Sequence, residues 1–145
     1  MLRSNRGFTL VEMMIVVLLM GLMLAFAVPA LRRLGNSQGL KGAKENMISQ
    51  IQLARAKAIS TGIDQPVHFN NNYGFNYHIH PSGVGTPTTG WVFPNGVSYG
   101  VSTFSSSVTM YANGKASNSV TIPLMNLQGA RDTLVVLTSG LVMSQ

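Results

Sequence analysis

The sequence predicts an α+β fold in which one long N-terminal helix precedes an antiparallel β-domain. Three features predict it: an uncharged apolar run at 13–30, an apolar stripe at helical spacing between 40 and 58, and short alternating segments with turn residues from 65 onward. A chain of 145 residues is long enough for one compact domain with an appended element.

The apolar run is long enough to cross a membrane as a helix. About 18 apolar residues nearly span the hydrocarbon core as a helix. In lipid, a helix is the conformation in which a single segment satisfies its own backbone N–H and C=O groups. The basic residues Arg3 and Arg6 precede the run, and positive residues before a span favour a cytoplasmic N-terminus. We therefore expect a single-pass inner-membrane protein whose β-domain lies on the periplasmic or extracellular side.

An ordinary secretory signal peptide is the alternative interpretation of this segment. Ala25-Phe26-Ala27 matches an A-x-A cleavage site after an apolar stretch. Against it, Glu12 lies inside the apolar segment, where a carboxylate costs about 2.5–3.5 kcal/mol. The helical pattern also resumes beyond Pro29, which favours the start of a longer helix.

The second part of the predicted helix is amphipathic and should pack on a sheet. Gly62 follows the pattern as a helix stop, and the segment 35–39 is a weak point that could interrupt the helix. The apolar stripe consists of Leu40, Ala43, Met47, Ile51, Ala54 and Ala58.

From residue 65 onward the sequence indicates strands and turns. Segments 67–69 and 73–77 are predicted to form one hairpin, and 134–138 with 141–143 another. Asn113-Gly114 is a type I′ hairpin signal between 108–111 and 119–124. Pro94-Asn95-Gly96 is a predicted turn, and 81–90 a predicted loop.

The segment Gly7-Phe8-Thr9-Leu10-Val11-Glu12 resembles the processing motif of type IV prepilins and pseudopilins. The resemblance implies a pilin-like fold, cleavage after Gly7 by a membrane prepilin peptidase, and N-methylation of the new terminus at Phe8. It implies a leader at 1–7, a membrane-spanning assembly half of the helix at 8–31, an amphipathic half at 32–62 and a β-domain at 63–145. Gly21 and Pro29 lie where pilins of this family carry helix-weakening residues.

Glu12 is the fifth residue of the mature chain under this interpretation. A buried carboxylate is tolerable when a cation neutralises it. We therefore hypothesise that Glu12 of one subunit pairs with the Phe8 amine of another and sets the register of assembly. The alternative is a carboxylate that extends to the lipid headgroups.

The second half of the chain is similar to the GspH/FimT group of minor pilins and pseudopilins in its Tyr111-x-Asn113-Gly114 turn and its final segment 134–140. The resemblance implies a structural subunit of a type IV pilus or a type II secretion pseudopilus, acting in filament priming or tip formation and in protein secretion. Its partners would be other pilin or pseudopilin subunits and the peptidase. The alternative is a FimT-type minor pilin that binds DNA in DNA uptake, with Arg131 and Lys115 as candidate contacts.

Catalytic chemistry is not expected, so the sequence predicts neither an enzyme nor a cofactor. Cysteine is absent, and the four acidic residues show no motif of a paired-carboxylate site. His78-Ile79-His80 places two imidazoles on one face of a strand, and His68 is the only other histidine. A zinc site needs about four ligands, so the histidines are interpreted as an exposed polar strand face and no metal site is predicted.

Overall fold

The computed structural model describes residues 8–69, 73–85, 87, 89–101 and 104–144, and the predicted leader at 1–7 lies outside these residues. One helix, α1, runs from Leu10 to Thr61. Eight antiparallel strands follow it, which confirms the predicted α+β fold. The chain divides into two compact units, one ending at Gly35 and the other beginning at Asn36.

Helix α1 is continuous through Gly21, Pro29 and the segment 35–39. The predicted interruption at 35–39 is therefore wrong, because the two glycines there keep helical backbone conformation. The predicted stop at Gly62 is confirmed: its φ is 69°, and its N–H donates to the carbonyl of Ala58 at 3.0 Å. A glycine adopts this left-handed conformation at little cost.

The strands form two four-stranded sheets. The first sheet has the order β3-β2-β1-β5, and the second has the order β4-β6-β7-β8. The strands are β1 Gln65–Phe69, β2 Tyr77–Ile79, β3 Gly90–Trp91, β4 Val97–Tyr99, β5 Ser106–Met110, β6 Val120–Asn126, β7 Arg131–Val136 and β8 Val142–Ser144.

The core of the second unit lies between the later part of α1 and the sheets. Every residue of the predicted helical stripe is buried, and Met47 and Ile51 are completely so. They belong to one hydrophobic cluster with inward-facing residues of both sheets, among them Phe69, Ile122 and Leu134. Burying such side chains contributes about 1.5–3 kcal/mol each, so the stripe anchors the helix to the β-domain.

Two predicted hairpins are confirmed in outline, with a corrected boundary in the first. Strands β1 and β2 pair, but β2 begins only at Tyr77, because Tyr73 and Gly74 have positive φ angles of 58° and 79° and cannot continue an extended strand. Strands β7 and β8 pair as predicted. The strands before and after the turn at Asn95 and Gly96 belong to different sheets.

The predicted type I′ turn at Asn113-Gly114 is wrong. A type I′ turn needs positive φ at both central residues, whereas Gly114 has φ 79° and Asn113 is not in that region. The N–H of Gly114 donates to the carbonyl of Tyr111, and the N–H of Tyr111 to that of Lys115. This pattern is a three-residue loop with a left-handed glycine at its end. Only an isolated bridge, Met110 with Ala116, continues the pairing beyond it.

Asn126 organises the β6–β7 turn, and we expect Asn126→Ala to destabilise the fold. Its side chain is 3% exposed, and Oδ1 accepts hydrogen bonds from the amides of Gln128 at 3.0 Å and Ala130 at 2.9 Å. Leaving these donors unpaired should cost about 1–3 kcal/mol of unfolding free energy.

The matched control is Asn113→Ala, since Asn113 is exposed and its Oδ1 accepts one amide hydrogen bond, from Lys115 at 3.0 Å. Its expected cost is about 0.5 kcal/mol or less. Denaturant unfolding of both variants in detergent measures the difference, and equal costs would contradict the role assigned to Asn126.

Candidate functional site

The N-terminal half of α1 exposes a continuous apolar surface. Every residue from 8 to 32 is exposed, and an 18-residue window of the helix has a mean hydropathy of 2.7. By length and composition this helix can cross a membrane. Large apolar surfaces on a protein mark contact with lipid or with another protein. We therefore expect this apolar surface to be covered either by lipid or by another protein.

Glu12 and Thr9 form a capping box at the start of the helix. The Thr9 amide donates to Glu12 Oε2 at 2.8 Å and the Thr9 hydroxyl donates to the same oxygen at 3.1 Å, while the Glu12 amide donates to Thr9 Oγ1 at 3.2 Å. This reciprocal arrangement satisfies amides that a helix N-terminus otherwise leaves without partners. The sequence interpretation considered Glu12 for its charge alone and missed the S/T-x-x-E spacing that signals the box.

The box leaves the carboxylate available for a second interaction. Both hydrogen bonds that Glu12 accepts use Oε2, and Oε1 accepts none from the described residues. Glu12 lies at the first turn of the exposed apolar surface and is itself exposed. A cation from outside the helix can therefore reach Oε1 without breaking the helix start.

Gly21 and Pro29 lie inside α1 in this exposed part. A Cβ at Gly21 would meet nothing within 4 Å, so packing within the chain does not require a glycine there. Pro29 lacks an N–H, so the carbonyl of Ala25, four residues earlier, loses its usual helical donor. Both positions weaken the helix locally, yet the described helix keeps its conformation through them.

The two candidate DNA contacts lie at opposite ends of the second unit. Arg131 pairs with Met125 beside Asn126, whose Nδ2 donates to the carbonyl of Asn36 at 3.5 Å. Lys115 follows Gly114, whose carbonyl accepts from Arg55 Nε at 2.8 Å. Asn36 and Arg55 are 19 residues apart on the helix, which is about 28 Å at 1.5 Å per residue.

The surroundings of Arg131 contain charges of both signs. The adjacent Asp132 forms an ion pair with Lys44 of α1 at 2.6 Å. The structure thus does not bring Arg131 and Lys115 together, and the carboxylate beside Arg131 is already paired with Lys44. A continuous basic surface, as expected for binding to the phosphate backbone, does not form from these two residues.

The three histidines form a cluster on the outward face of the first sheet. His68 and His78 are cross-strand partners, and their rings stack with centroids 4.9 Å apart. His80 stacks on His68 at 5.1 Å. The predicted exposed strand face is wrong for His78, which is only 3% exposed. Sequence reasoning missed the contact with His68, which depends on the register of β1 against β2.

Two aromatic residues lie beside this cluster. Gly90 pairs with His78, and a Cβ at Gly90 would meet the Phe75 ring, so Phe75 lies over the glycine on the same face. The Tyr73 ring meets the edge of His78 with centroids 5.7 Å apart. Desolvation and the neighbouring imidazoles hold the pKa values of His68 and His78 below the usual range.

Comparison with protein-family models identified one match, to the prokaryotic N-terminal methylation motif at residues 2–28. It supports a type IV pilin-like subunit. The matched segment covers the processing motif, the capping box and most of the exposed apolar surface. Together with the apolar helix, the match fits anchoring of the chain in the inner membrane and incorporation into a filament. Searches of curated proteins and of solved structures returned no significant match.

Proposed function

We propose that this chain is a minor pilin or pseudopilin that assembles through its N-terminal helix into a type IV pilus or a type II secretion pseudopilus. The observation that carries the proposal is the exposed apolar half of α1, which begins with a single carboxylate at Glu12. Before assembly, lipid covers this surface, and in the filament the same surface of other subunits replaces lipid.

The charge of Glu12 supplies the specificity that an apolar surface lacks. Apolar contacts are non-directional, whereas a carboxylate in a low-dielectric environment needs a cation close by. In the proposed filament the methylated amine of Phe8 from a neighbouring subunit binds the free oxygen of Glu12. The capping box stays intact, because Thr9 uses only Oε2.

Removal of the leader supplies the positive member of this charge pair, the amine of Phe8. We propose that prepilin peptidase cleaves the peptide bond after Gly7 and removes residues 1–7, which frees the amine of Phe8, and that methylation of this amine follows. Residues 8–31 then act as the membrane and assembly segment, 32–62 as the amphipathic half of the helix and 63–145 as the exported domain. The loose similarity of that domain to the GspH/FimT group favours filament priming or tip formation as the role.

Intact-mass analysis tests the proposal. The chain is recovered from membranes of a host with prepilin peptidase and of an otherwise identical host without it. We expect a chain that begins at methylated Phe8 in the first host and an unprocessed chain in the second. A chain that begins at Val28, or one that keeps residues 1–7 in both hosts, would contradict the proposal.

DNA uptake is not proposed as a second function. Arg131 and Lys115 are separated by most of the length of the second unit, and Asp132 lies beside Arg131. A phosphate backbone is bound through several cations whose counterions are released together, and Arg131 and Lys115 alone neutralise few phosphates.

A further inference from the structure

We propose that His68, His78 and His80 bind one divalent transition-metal ion of the zinc type on the outward face of the first sheet. The ligand atoms that the three imidazoles offer all lie within 4.8 Å of one another. This inference does not depend on the proposed filament function, because the three histidines lie outside the N-terminal half of α1 on which that proposal rests.

The backbone places the three side chains on one face. His68 of β1 and His78 of β2 are directly opposed in an antiparallel pair, so their side chains point to the same side of the sheet. His80 lies two residues beyond His78, and its amide donates to the carbonyl of Pro66 at 3.3 Å, which continues the pairing. Alternation along a strand returns His80 to the face of His78.

His78 has a buried ring nitrogen without a hydrogen-bond partner among the described residues. The residue is only 3% exposed, and this nitrogen is Nδ1. A buried polar atom without a partner destabilises the fold, whichever tautomer the ring adopts. The Tyr73 ring lies against His78, but its hydroxyl forms no hydrogen bond with Nδ1.

The donor set selects the class of ion. Imidazole nitrogen suits zinc, copper and nickel, whereas magnesium and calcium require oxygen ligands. Tetrahedral bonds of about 2.0–2.1 Å to zinc correspond to nitrogen separations of about 3.3 Å, so the rings must turn toward one another by up to about 1.5 Å on binding. Three histidines leave a fourth position, and His68 and His80 are only half-buried, so water can occupy it.

Zinc titration of the full chain in detergent tests this site. The chain is purified without a histidine tag and stripped of metal with a chelator. We expect isothermal titration with zinc chloride to give one ion per chain, and zinc to raise the melting temperature through its binding to the folded state. Loss of a residue that only supports a ligand weakens metal affinity about 10–100-fold. His68→Gln and His80→Gln each remove a direct ligand, so each should weaken zinc binding by at least that much.

A matched control separates this site from surface binding. Glu45 is exposed on α1, and Glu45→Gln should leave zinc binding unchanged. Because His78→Gln alters a buried side chain, the half-buried His68 and His80 carry the test, and circular dichroism in chelator verifies that their variants fold. Absence of one-to-one zinc binding, unchanged affinity in both histidine variants, or loss of binding in Glu45→Gln would overturn the proposal.

Discussion

Glu12→Gln is expected to keep the protein in the membrane and to remove it from assembled filaments. Glutamine retains the capping box, since its side-chain carbonyl can accept from Thr9 as the carboxylate does now at 2.8 Å. The substitution removes only the charge. Because the proposed partner of Glu12, the Phe8 amine of a neighbouring subunit, then has no anion to bind in an apolar environment, incorporation should fall by at least about tenfold, which corresponds to about 1.4 kcal/mol.

Thr9→Ala is the reciprocal control. It removes the hydroxyl that accepts from the Glu12 amide at 3.2 Å and leaves the charge in place. Loss of an N-cap costs about 1 kcal/mol of helix stability, which the membrane can compensate because it favours helical backbone. We therefore expect Thr9→Ala to assemble near the normal level, provided that its mass shows normal processing.

Fractionation of sheared filaments and membranes, with quantitative immunoblotting of each fraction, measures this pair of variants. Loss of incorporation in Glu12→Gln with retention in Thr9→Ala supports the charge pair. Normal incorporation of Glu12→Gln with loss of Thr9→Ala would mean that Glu12 acts only through the capping box, and the proposed intersubunit pair would be wrong.

Gly140→Ala is expected to be the most destabilising of the single substitutions considered. Gly140 ends the β7–β8 loop with a φ of 79°, where a side chain is strained. A Cβ there would meet the carbonyl oxygen of Gly114 and would lie 2.8 Å from Arg55 Nε. Since the same two groups form the 2.8 Å hydrogen bond between α1 and the loop at 112–114, the methyl group displaces that bond as well.

The expected loss is roughly 3–5 kcal/mol, from left-handed strain, overpacking and a disturbed charge-assisted hydrogen bond. Gly129→Ala provides the matched control, because Gly129 has φ 80° and a Cβ there meets nothing within 4 Å. Its cost should be only about 1 kcal/mol, from backbone strain. The denaturant midpoints of Gly140→Ala and Gly129→Ala in detergent measure this difference. Equal midpoints would show that the contact with Gly114 does not contribute to the loss of stability.

Helix α1 shows how much local pattern predicts. The six stripe residues from Leu40 to Ala58 are all buried, and the helix ends at Thr61 before Gly62. Such features depend on residues within a few turns of one another, so spacing in the sequence is sufficient to predict them. The methylation motif is local in the same way, and its match spans only residues 2–28.

Strand pairing shows where local pattern fails. Asn113-Gly114 predicts a tight hairpin, but β5 and β6 join different sheets and the loop takes another turn type. Which strands pair depends on how both sheets and the helix bury their apolar faces together, and that is a property of the whole domain.

The sequence therefore establishes a membrane-length helix with a carboxylate at its start, an amphipathic continuation and a β-rich remainder. The strand order, the contact between the loops at Gly114 and Gly140, and the assembly of His68 with His78 and His80 emerge from the fold. The physical reason is distance along the chain: helical contacts join neighbours three or four residues apart, whereas these contacts join residues separated by loops whose paths the packing of the core selects.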